Sequence, residues 1–245
     1  MINLRNLINL GFIHINLYGI VFLFAFIAVF WIIRKYLKSD GKNPELAYTA
    51  VIYLIIGTLT GARIFYEAFY NFYNFLGNPV EIFYLWQGGL SFHGGVLGVA
   101  ISSYFFCRKY KIDYLKIADT ISIPVIFFLA LGKIANFFNS ELYGKITNVP
   151  WCVNFSEIEG CRHPVQIYES VKNFSIFFFL IYLKRKNVKK GIIFFSLIFL
   201  YSFLRFFIDF YRVYDTNFFG LGIGQYLNII TFLISGYFLI KSTRK

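Results

Sequence analysis

Residues 15–33 read INLYGIVFLFAFIAVFWII, and Arg34 and Lys35 follow directly. A helix needs about 20 mainly apolar residues to cross the hydrocarbon of a bilayer. This run therefore predicts a spanning helix that ends at a basic pair. No small-residue cleavage site follows it, so we expect a retained first helix rather than a cleaved signal peptide.

The rest of the chain has the same character. Of its 245 residues 58% are hydrophobic and only 15% are charged, and the mean hydropathy is +0.61. Soluble domains carry about 25% charged residues, so the composition predicts an all-α integral membrane protein. We expect one polytopic domain over residues 1–245. Its seven predicted transmembrane helices lie at about 15–36, 46–67, 89–107, 115–137, 165–183, 191–210 and 223–240.

The net charge of +12 is unevenly distributed along the chain. Basic clusters follow the first, third, fifth and seventh predicted helices, and the other loops are poor in Lys and Arg. This alternation obeys the positive-inside rule and predicts an outside N-terminus and a cytoplasmic C-terminus. It argues against nucleic-acid binding, which needs a continuous basic groove interleaved with aromatic residues. Two outward-facing segments are expected, at about 68–88 and 138–164.

The third predicted helix contains the stretch GGLSFHGGVLG at residues 88–98. It places His93 among glycines within an apolar span, where polar side chains are costly and tend to be functional. His93 is therefore a candidate site residue. A hydrogen-bonded core histidine is the structural alternative, and helix packing is the expected role of Gly94 and Gly98.

Further polar residues fall at the outer ends of the predicted helices. Together they predict one outward-opening, cationic chamber, and the planar guanidinium of arginine suits a phosphate such as a phospholipid headgroup. The i,i+4 pairs Arg63–Glu67 and Arg205–Asp209 have structural ion pairing as an alternative, and Tyr18 has an interfacial aromatic belt. The set comprises Tyr18, Arg63, Glu67, Lys133, Asn136, Asn139, Glu141, His163, Gln166, Glu169, Arg205, Asp209 and Arg212.

The three cysteines leave two interpretations open. Cys152 and Cys161 share a predicted outward segment, and Cys107 lies at the cytoplasmic end of the third helix. The outward pair could form a disulfide in an oxidising compartment, or both thiols could be free. No metal-ligand spacing such as CxxC occurs.

At these polar residues the chain resembles the prolipoprotein diacylglyceryl transferase family, over nearly its whole length. Five segments match the family's motifs in order. They are LYG at 17–19, GLSFHGG at 89–95, LGKIANFFNSELYG at 131–144, HPVQIYE at 163–169 and RFFIDFYR at 205–212.

Four positions depart from the family's usual motifs. Lys133 stands for the arginine of GRxGNFxNGExxG, Ala135 for its next glycine and Ser140 for its last-but-one glycine. Asp209 replaces a glutamate and keeps the spacing to Arg205. Lysine retains the positive charge but cannot make the two-pronged contact of a guanidinium.

The resemblance implies transfer of a diacylglyceryl group from phosphatidylglycerol to the lipobox cysteine in the signal peptide of a prolipoprotein. Glycerol phosphate leaves, and neither a metal nor an organic cofactor is required. We expect the enzyme in the bacterial inner membrane, surrounded by membrane lipid, with its active site toward the outer face and no nucleic-acid partner. The resemblance assigns catalysis to His93, Arg205, Asp209 and Glu141. It assigns substrate binding to Tyr18, Arg63, Lys133, Asn136, Asn139, Gly144 and Arg212.

Within this scheme His93 is the hypothetical general base, because the ordinary pKa of histidine lies near 6.5. Arg205, Lys133 and Arg63 would hold the phosphate, and Glu141 and Asp209 would orient these cations. Two other functions stay open: a lipid or solute transporter, and a catalytically weakened relative with a lipid-binding or scaffolding role. The transporter predicts polar residues across both membrane faces, whereas the weakened relative is suggested by Lys133, Ala135 and Ser140.

Overall fold

The structure is a computed structural model that describes residues 8–9, 14–15, 17–84, 88–156, 158–213 and 217–244. Residues 85–87 and Glu157, which belong to the two predicted outward segments, lie outside the described residues. The described α-helices are α1 Leu17–Ser39, α2 Leu46–Phe69, α3 Phe72–Gly77, α4 Phe92–Lys109, α5 Tyr114–Phe138, α6 Val165–Arg185, α7 Ile192–Ile208 and α8 Ile223–Arg244. A 3-10 helix at Pro79–Phe83 follows α3, and a 3-10 turn at Asp209–Tyr211 extends α7.

Each of the seven predicted helices has a counterpart among the long helices, and no end differs by more than four residues. Five of the described helices are long and apolar enough to cross a membrane: α1, α2, α5, α7 with its 3-10 extension, and α8. Helices α4 and α6 are not among these five, and α6 carries the charged residues Glu169 and Lys172 in its first half. Length and composition thus establish a helical membrane protein.

The described residues form two compact units. The larger unit lies within residues 1–29 and 118–245, and the smaller unit within 30–117. The interpretation of 1–245 as one domain stays a prediction.

The smaller unit contains a close helix pair formed by α2 and α4. A Cβ added at Gly98 would overlap the carbonyl group of Gly57, and one at Gly61 would overlap the carbonyl of Gly94. Only glycine allows the two backbones to approach so closely, as in other small-xxx-small helix pairs. The predicted packing role of Gly94 and Gly98 is confirmed, and their partners Gly57 and Gly61 form the same motif in α2.

The larger unit has an apolar core between α5, α6 and α7. Ile126, Ile176 and Leu180 are at most 1% exposed. Asp119 of α5 accepts backbone N–H bonds from Gly191 and Phe194 at 2.6 and 2.8 Å. These N–H groups lie at the start of α7, where helix donors lack partners within the helix, so Asp119 anchors that end of α7.

Two short hairpins were not expected from the sequence. Strand β1 (Ile8–Asn9) pairs antiparallel with β2 (His14–Ile15), and β3 (Asn217–Phe218) pairs with β4 (Leu221–Gly222). Each strand has two residues, too short for the alternating pattern that identifies strands in a sequence.

Candidate active site

The carboxylate of Glu169, on α6, is the centre of a buried charge cluster in the larger unit. The side chain is 1% exposed, and cations from two other helices and the segment after α7 contact it. Lys133 Nζ lies 2.7 Å from Oε2, Arg205 Nη1 contacts the same oxygen, and Arg212 Nη1 lies 3.1 Å from Oε1. One carboxylate therefore joins three predicted substrate-binding or catalytic residues.

A second buried carboxylate, Asp209, holds the other side of Arg205. Arg205 Nε lies 2.8 Å from Asp209 Oδ1, as expected for residues one helical turn apart. The amide of Asn228, on α8, donates to Asp209 Oδ2 at 3.2 Å. The guanidinium of Arg205 is thus fixed between Glu169 and Asp209.

Lys172 also belongs to this cluster. It lies one turn beyond Glu169 on α6, is 5% exposed, and interacts electrostatically with Glu169 and Arg205. Its ammonium group lies 3.5 Å from the ring centroid of Tyr201 and has no hydrogen-bond partner among the described residues. We call Lys133, Lys172, Arg205, Arg212, Glu169 and Asp209 the charge cluster.

The turn after α5 carries further residues of the motif at 131–144. The amide of Asn136 donates to Glu141 Oε2 at 3.2 Å, and Gln166 Nε2 donates to the backbone carbonyl of Glu141 at 2.5 Å. Asn139 is 2% exposed, and neither polar atom of its side chain has a hydrogen-bond partner in the described structure. A buried, unpaired amide is costly, which makes Asn139 available to a ligand.

Ser140, in the same turn, has φ +58°. This left-handed conformation costs an L-residue roughly 1–2 kcal/mol and suits glycine. The geometry explains why glycine is usual at this position of the family motif.

Gly144 connects the turn to the segment after α7. Its N–H donates to the carbonyl of His163 at 2.9 Å, and it pairs with Arg212 in an antiparallel bridge. An added Cβ would lie 2.6 Å from Val165 and 2.7 Å from His163, so only glycine fits. Gly144 therefore acts through backbone packing beside Arg212.

A disulfide between Cys152 and Cys161 stabilises the loop before α6, with a Cα–Cα distance of 5.5 Å. Of the two interpretations left open by the sequence, the structure has the bonded one. Arg162, next to Cys161, exchanges backbone hydrogen bonds with Val153.

His163 lies at the end of this loop in an aromatic environment. Trp151 Nε1 donates to the hydroxyl of Tyr168 at 2.7 Å, and that hydroxyl lies 3.1 Å from His163 Nδ1. Since the hydroxyl oxygen accepts the hydrogen bond from Trp151, its own O–H is free to donate to the Nδ1 of a neutral His163 ring. Burial lowers the pKa of His163 below its ordinary 6.5, consistent with the neutral ring.

Tyr18, near the start of α1, lies beside α5. A Cβ added at Gly132, the neighbour of Lys133, would be 3.7 Å from the Tyr18 ring. Glu141 lies close enough to interact electrostatically with the Tyr18 hydroxyl.

Arg63, in the smaller unit, has a different environment from the cations of the charge cluster. Nη2 lies 2.9 Å from Glu67 and donates to the carbonyl of Glu81, and Nε donates to the carbonyl of Ile82 at 3.3 Å. Nη1 donates to the carbonyls of residues 88 and 89 at 2.7 and 3.2 Å. These contacts use the five donors of a guanidinium, which favours the structural alternative for Arg63–Glu67.

His93 is the second residue of α4. Ser91 caps this helix by accepting a hydrogen bond from Gly94 N at 3.4 Å, and Ser91 N donates to the carbonyl of Ala62 at 3.0 Å. The first turn of a helix has unpaired backbone donors and favours negative charge. His93 is therefore held where an anion is stabilised.

The structure brings most of the predicted site residues together within the larger unit. The residues linked there are Tyr18, Lys133, Asn136, Asn139, Glu141, Gly144, Arg205, Asp209 and Arg212, whereas Arg63 and His93 lie in the smaller unit. Sequence reasoning missed Lys172, Tyr201 and Asn228 as parts of the site. A lysine inside a predicted span, three residues after Glu169, was a signal that could have found Lys172.

Among the residues that the structure describes, no group of three or more His, Cys, Asp or Glu side chains is placed to hold a metal ion. The charge cluster is instead dominated by Lys and Arg nitrogens, and such groups bind anions.

Comparison with known proteins gives the same family as the motifs. The sequence profile of prolipoprotein diacylglyceryl transferase matches residues 5–241. The phosphatidylglycerol–prolipoprotein diacylglyceryl transferase of Geobacter sulfurreducens is 34% identical over 92% of this chain and 90% of its own length. The enzymes of the same name from Aeromonas salmonicida and Ehrlichia ruminantium are each 32% identical over 97% of this chain, and over 89% and 95% of their own lengths. The chain belongs to the prolipoprotein diacylglyceryl transferase family.

Proposed function

We propose that this protein transfers the diacylglyceryl group of phosphatidylglycerol to the thiol of the lipobox cysteine of prolipoproteins, releasing glycerol phosphate. This is the first step of bacterial lipoprotein maturation. Family membership supports the reaction and does not favour the transporter or the weakened relative. The observation that carries the site is the convergence of Lys133, Arg205 and Arg212 on the buried Glu169.

The charge cluster is the proposed binding site for the lipid phosphate. Desolvating an ion costs several kcal/mol unless it is well paired, and here the cations outnumber the carboxylates. A phosphodiester supplies one negative charge, and its non-bridging oxygens accept hydrogen bonds from Arg205 and Lys133. The Lys133 ion pair at 2.7 Å supports a retained function despite the loss of the usual arginine.

Asn139 is the proposed hydrogen-bond donor to the glycerol or phosphate of the lipid, because its buried amide lacks a partner in the described structure. Asn136 donates a hydrogen bond to Glu141. We therefore propose that these two residues stabilise the turn after α5 and orient the cations. Tyr18 is proposed to contact the headgroup from beside Gly132.

His93 is the proposed general base that takes the thiol proton, since a neutral imidazole accepts a proton at neutral pH. The thiolate, not the thiol, is the reactive nucleophile. Arg63 is proposed to hold the backbone at residues 81, 82, 88 and 89 through its carbonyl contacts instead of binding phosphate directly. A H93Q variant with full activity would eliminate the general-base role.

For the membrane arrangement we propose seven spanning helices, with the N-terminus outside, the C-terminus cytoplasmic and the active site toward the outer face of the inner membrane. Basic residues in the last turns of α1, α4 and α6 support this orientation. The Cys152–Cys161 disulfide supports an oxidising environment for the loop before α6.

The test uses the purified protein in phosphatidylglycerol-containing micelles with a synthetic lipobox peptide. Mass spectrometry should detect a diacylglyceryl adduct on the peptide cysteine and glycerol phosphate in solution. R205A should lose at least about 100-fold in rate, the scale seen when one charge-stabilising group is removed from an active site.

R34A is the matched control, because Arg34 forms an exposed ion pair with Glu45 at 2.8 Å in the smaller unit. It should transfer at the wild-type rate. No adduct from folded wild-type protein would overturn the proposed function, and full activity of R205A would overturn the proposed site.

A further inference from the structure

We propose that Lys172 is a further phosphate-binding residue of the transferase, whose positive charge stabilises the second negative charge that the phosphate gains as it leaves. The inference rests on the proposed function and adds a residue to its site. None of the five family motifs contains this position.

The position of Lys172 carries the first step. It follows Glu169 by three residues on α6, so both side chains point to one face of the helix. Its ammonium group lies over the ring of Tyr201, at 3.5 Å from the centroid. Tyr201 precedes Arg205 by one turn on α7, which places Lys172 next to the cation that Glu169 and Asp209 hold.

The missing partner of Lys172 carries the second step. The residue is 5% exposed, and its ammonium group has no hydrogen-bond acceptor among the described residues. A cation–π contact is worth about 2 kcal/mol when desolvated, less than the several kcal/mol needed to bury an ion. An ammonium group therefore gains from an anionic ligand at this place. The neighbouring Asn173 is 0% exposed, and its amide also lacks a hydrogen-bond partner among the described residues.

The charge balance carries the third step. The charge cluster contains four basic side chains and two carboxylates, a formal excess of two positive charges when all six are ionised. Without Lys172 the excess would be one.

The reaction raises the negative charge of the phosphate from one to two. The cysteine thiol gives its proton to the base, and the thiolate sulfur forms a bond to the terminal glycerol carbon of the diacylglyceryl group. The bond from that carbon to the phosphate oxygen breaks, and the oxygen keeps the electron pair. The phosphodiester, with one negative charge, becomes glycerol phosphate with two. An excess of one charge matches the substrate, whereas an excess of two matches the departing group.

An interaction that strengthens only as the leaving group forms raises kcat rather than tightening substrate binding. K172M should therefore lower kcat by about 10- to 100-fold, while KM for phosphatidylglycerol stays within about twofold. Inhibition by added glycerol phosphate should weaken about 10-fold or more, and K172R should recover part of both losses. K116M is the matched control, because Lys116 lies in the smaller unit with its side chain 53% exposed, and it should match the wild type.

Thermal unfolding separates this role from a structural one. Because Lys172 is buried without an acceptor in the described part of the chain, K172M should unfold at the wild-type temperature or higher in the absence of phosphate. Glycerol phosphate should raise the unfolding temperature of the wild type more than that of K172M, a measurement that does not depend on transfer. A K172M variant with wild-type kcat and wild-type glycerol phosphate binding overturns the inference. So does parallel loss of kcat and unfolding temperature with unchanged inhibition, which would assign Lys172 to the fold alone. Absence of transfer by the wild type would instead count against the proposed function.

Discussion

Replacing Glu169 by glutamine tests whether one buried carboxylate holds the cations of the site together. The substitution keeps the size of the side chain and removes its charge. Lys133, Arg205 and Arg212 would then lose the group that each contacts at present.

The expected cost follows from the burial of Glu169. Removing one partner of a buried ion pair costs about 3–5 kcal/mol, because the remaining charge is left uncompensated. The three contacts share a single carboxylate, so their energies do not add, and we expect one such loss rather than three. For a chain of this size each kcal/mol lowers the unfolding temperature by about 2–4 °C. E169Q should therefore unfold about 6–20 °C below the wild type.

The assay is thermal unfolding of the purified protein in detergent, followed by circular dichroism. E45Q is the matched control, because Glu45 also pairs with an arginine at 2.8 Å but is 54% exposed. Exposed pairs contribute about 0–1 kcal/mol, so E45Q should shift the unfolding temperature by at most about 4 °C. Adding K133M to E169Q should restore part of the loss, since it removes one uncompensated cation.

Equal unfolding temperatures of E169Q and E45Q would refute the reasoning, because burial would then make no difference to the ion pair. Strict additivity of E169Q and K133M would refute it as well, since residues in one network should be coupled by about 0.5–3 kcal/mol.

Three further predictions concern the backbone and the loop before α6. S140G should raise the unfolding temperature by about 2–4 °C by relieving roughly 1 kcal/mol of left-handed strain, whereas S140A should give no gain. G98A should destabilise the protein by at least about 1–3 kcal/mol, because its Cβ would overlap the backbone of α2. G132A is the control in the same unfolding assay and should be tolerated, because its Cβ would have neighbours no closer than 3.6 Å. The lowered pKa of His163 means that the unfolded chain binds its proton at higher pH than the folded one. Protonation of His163 therefore has no effect on stability above pH of about 6.5 and lowers stability as the pH falls below that value. Unfolding temperatures measured from pH 8 to 5 should decline less steeply for H163Q than for the wild type. An unchanged slope would contradict this role of His163.

Some contacts of the site could be predicted from the sequence, and others could not. Arg205 and Asp209 were predicted to contact each other because their i,i+4 spacing fixes their separation on one helix, and the structure has this contact. Gly94 and Gly98 were recognised as a packing motif from their spacing alone. Tyr201 and Asn228 were missed, because their contacts with Lys172 and Asp209 depend on how three helices pack. Lys172 was missed although its spacing from Glu169 on one helix was visible in the sequence.

Arg63 also shows what could not be predicted from the sequence. Its charge and its partner Glu67 were visible in the sequence, and both a structural and a phosphate-binding role were consistent with them. The decisive contacts come from carbonyl groups 18 to 26 residues along the chain. A backbone carbonyl has no sequence signal, so only the folded chain could favour the structural role.

The sequence by itself determined that this is a helical membrane protein of the diacylglyceryl transferase family and which polar residues it retains within its helices. These properties follow from local facts: the length of apolar runs, the price of polar groups in lipid and the order of short motifs. The tertiary structure decided that Glu169 is the common partner of three cations and that Cys152 and Cys161 are bonded. It also decided that Lys172 is buried with no acceptor among the residues that the structure describes. Each of these depends on contacts between segments far apart in the chain, and such contacts form only when the helices pack.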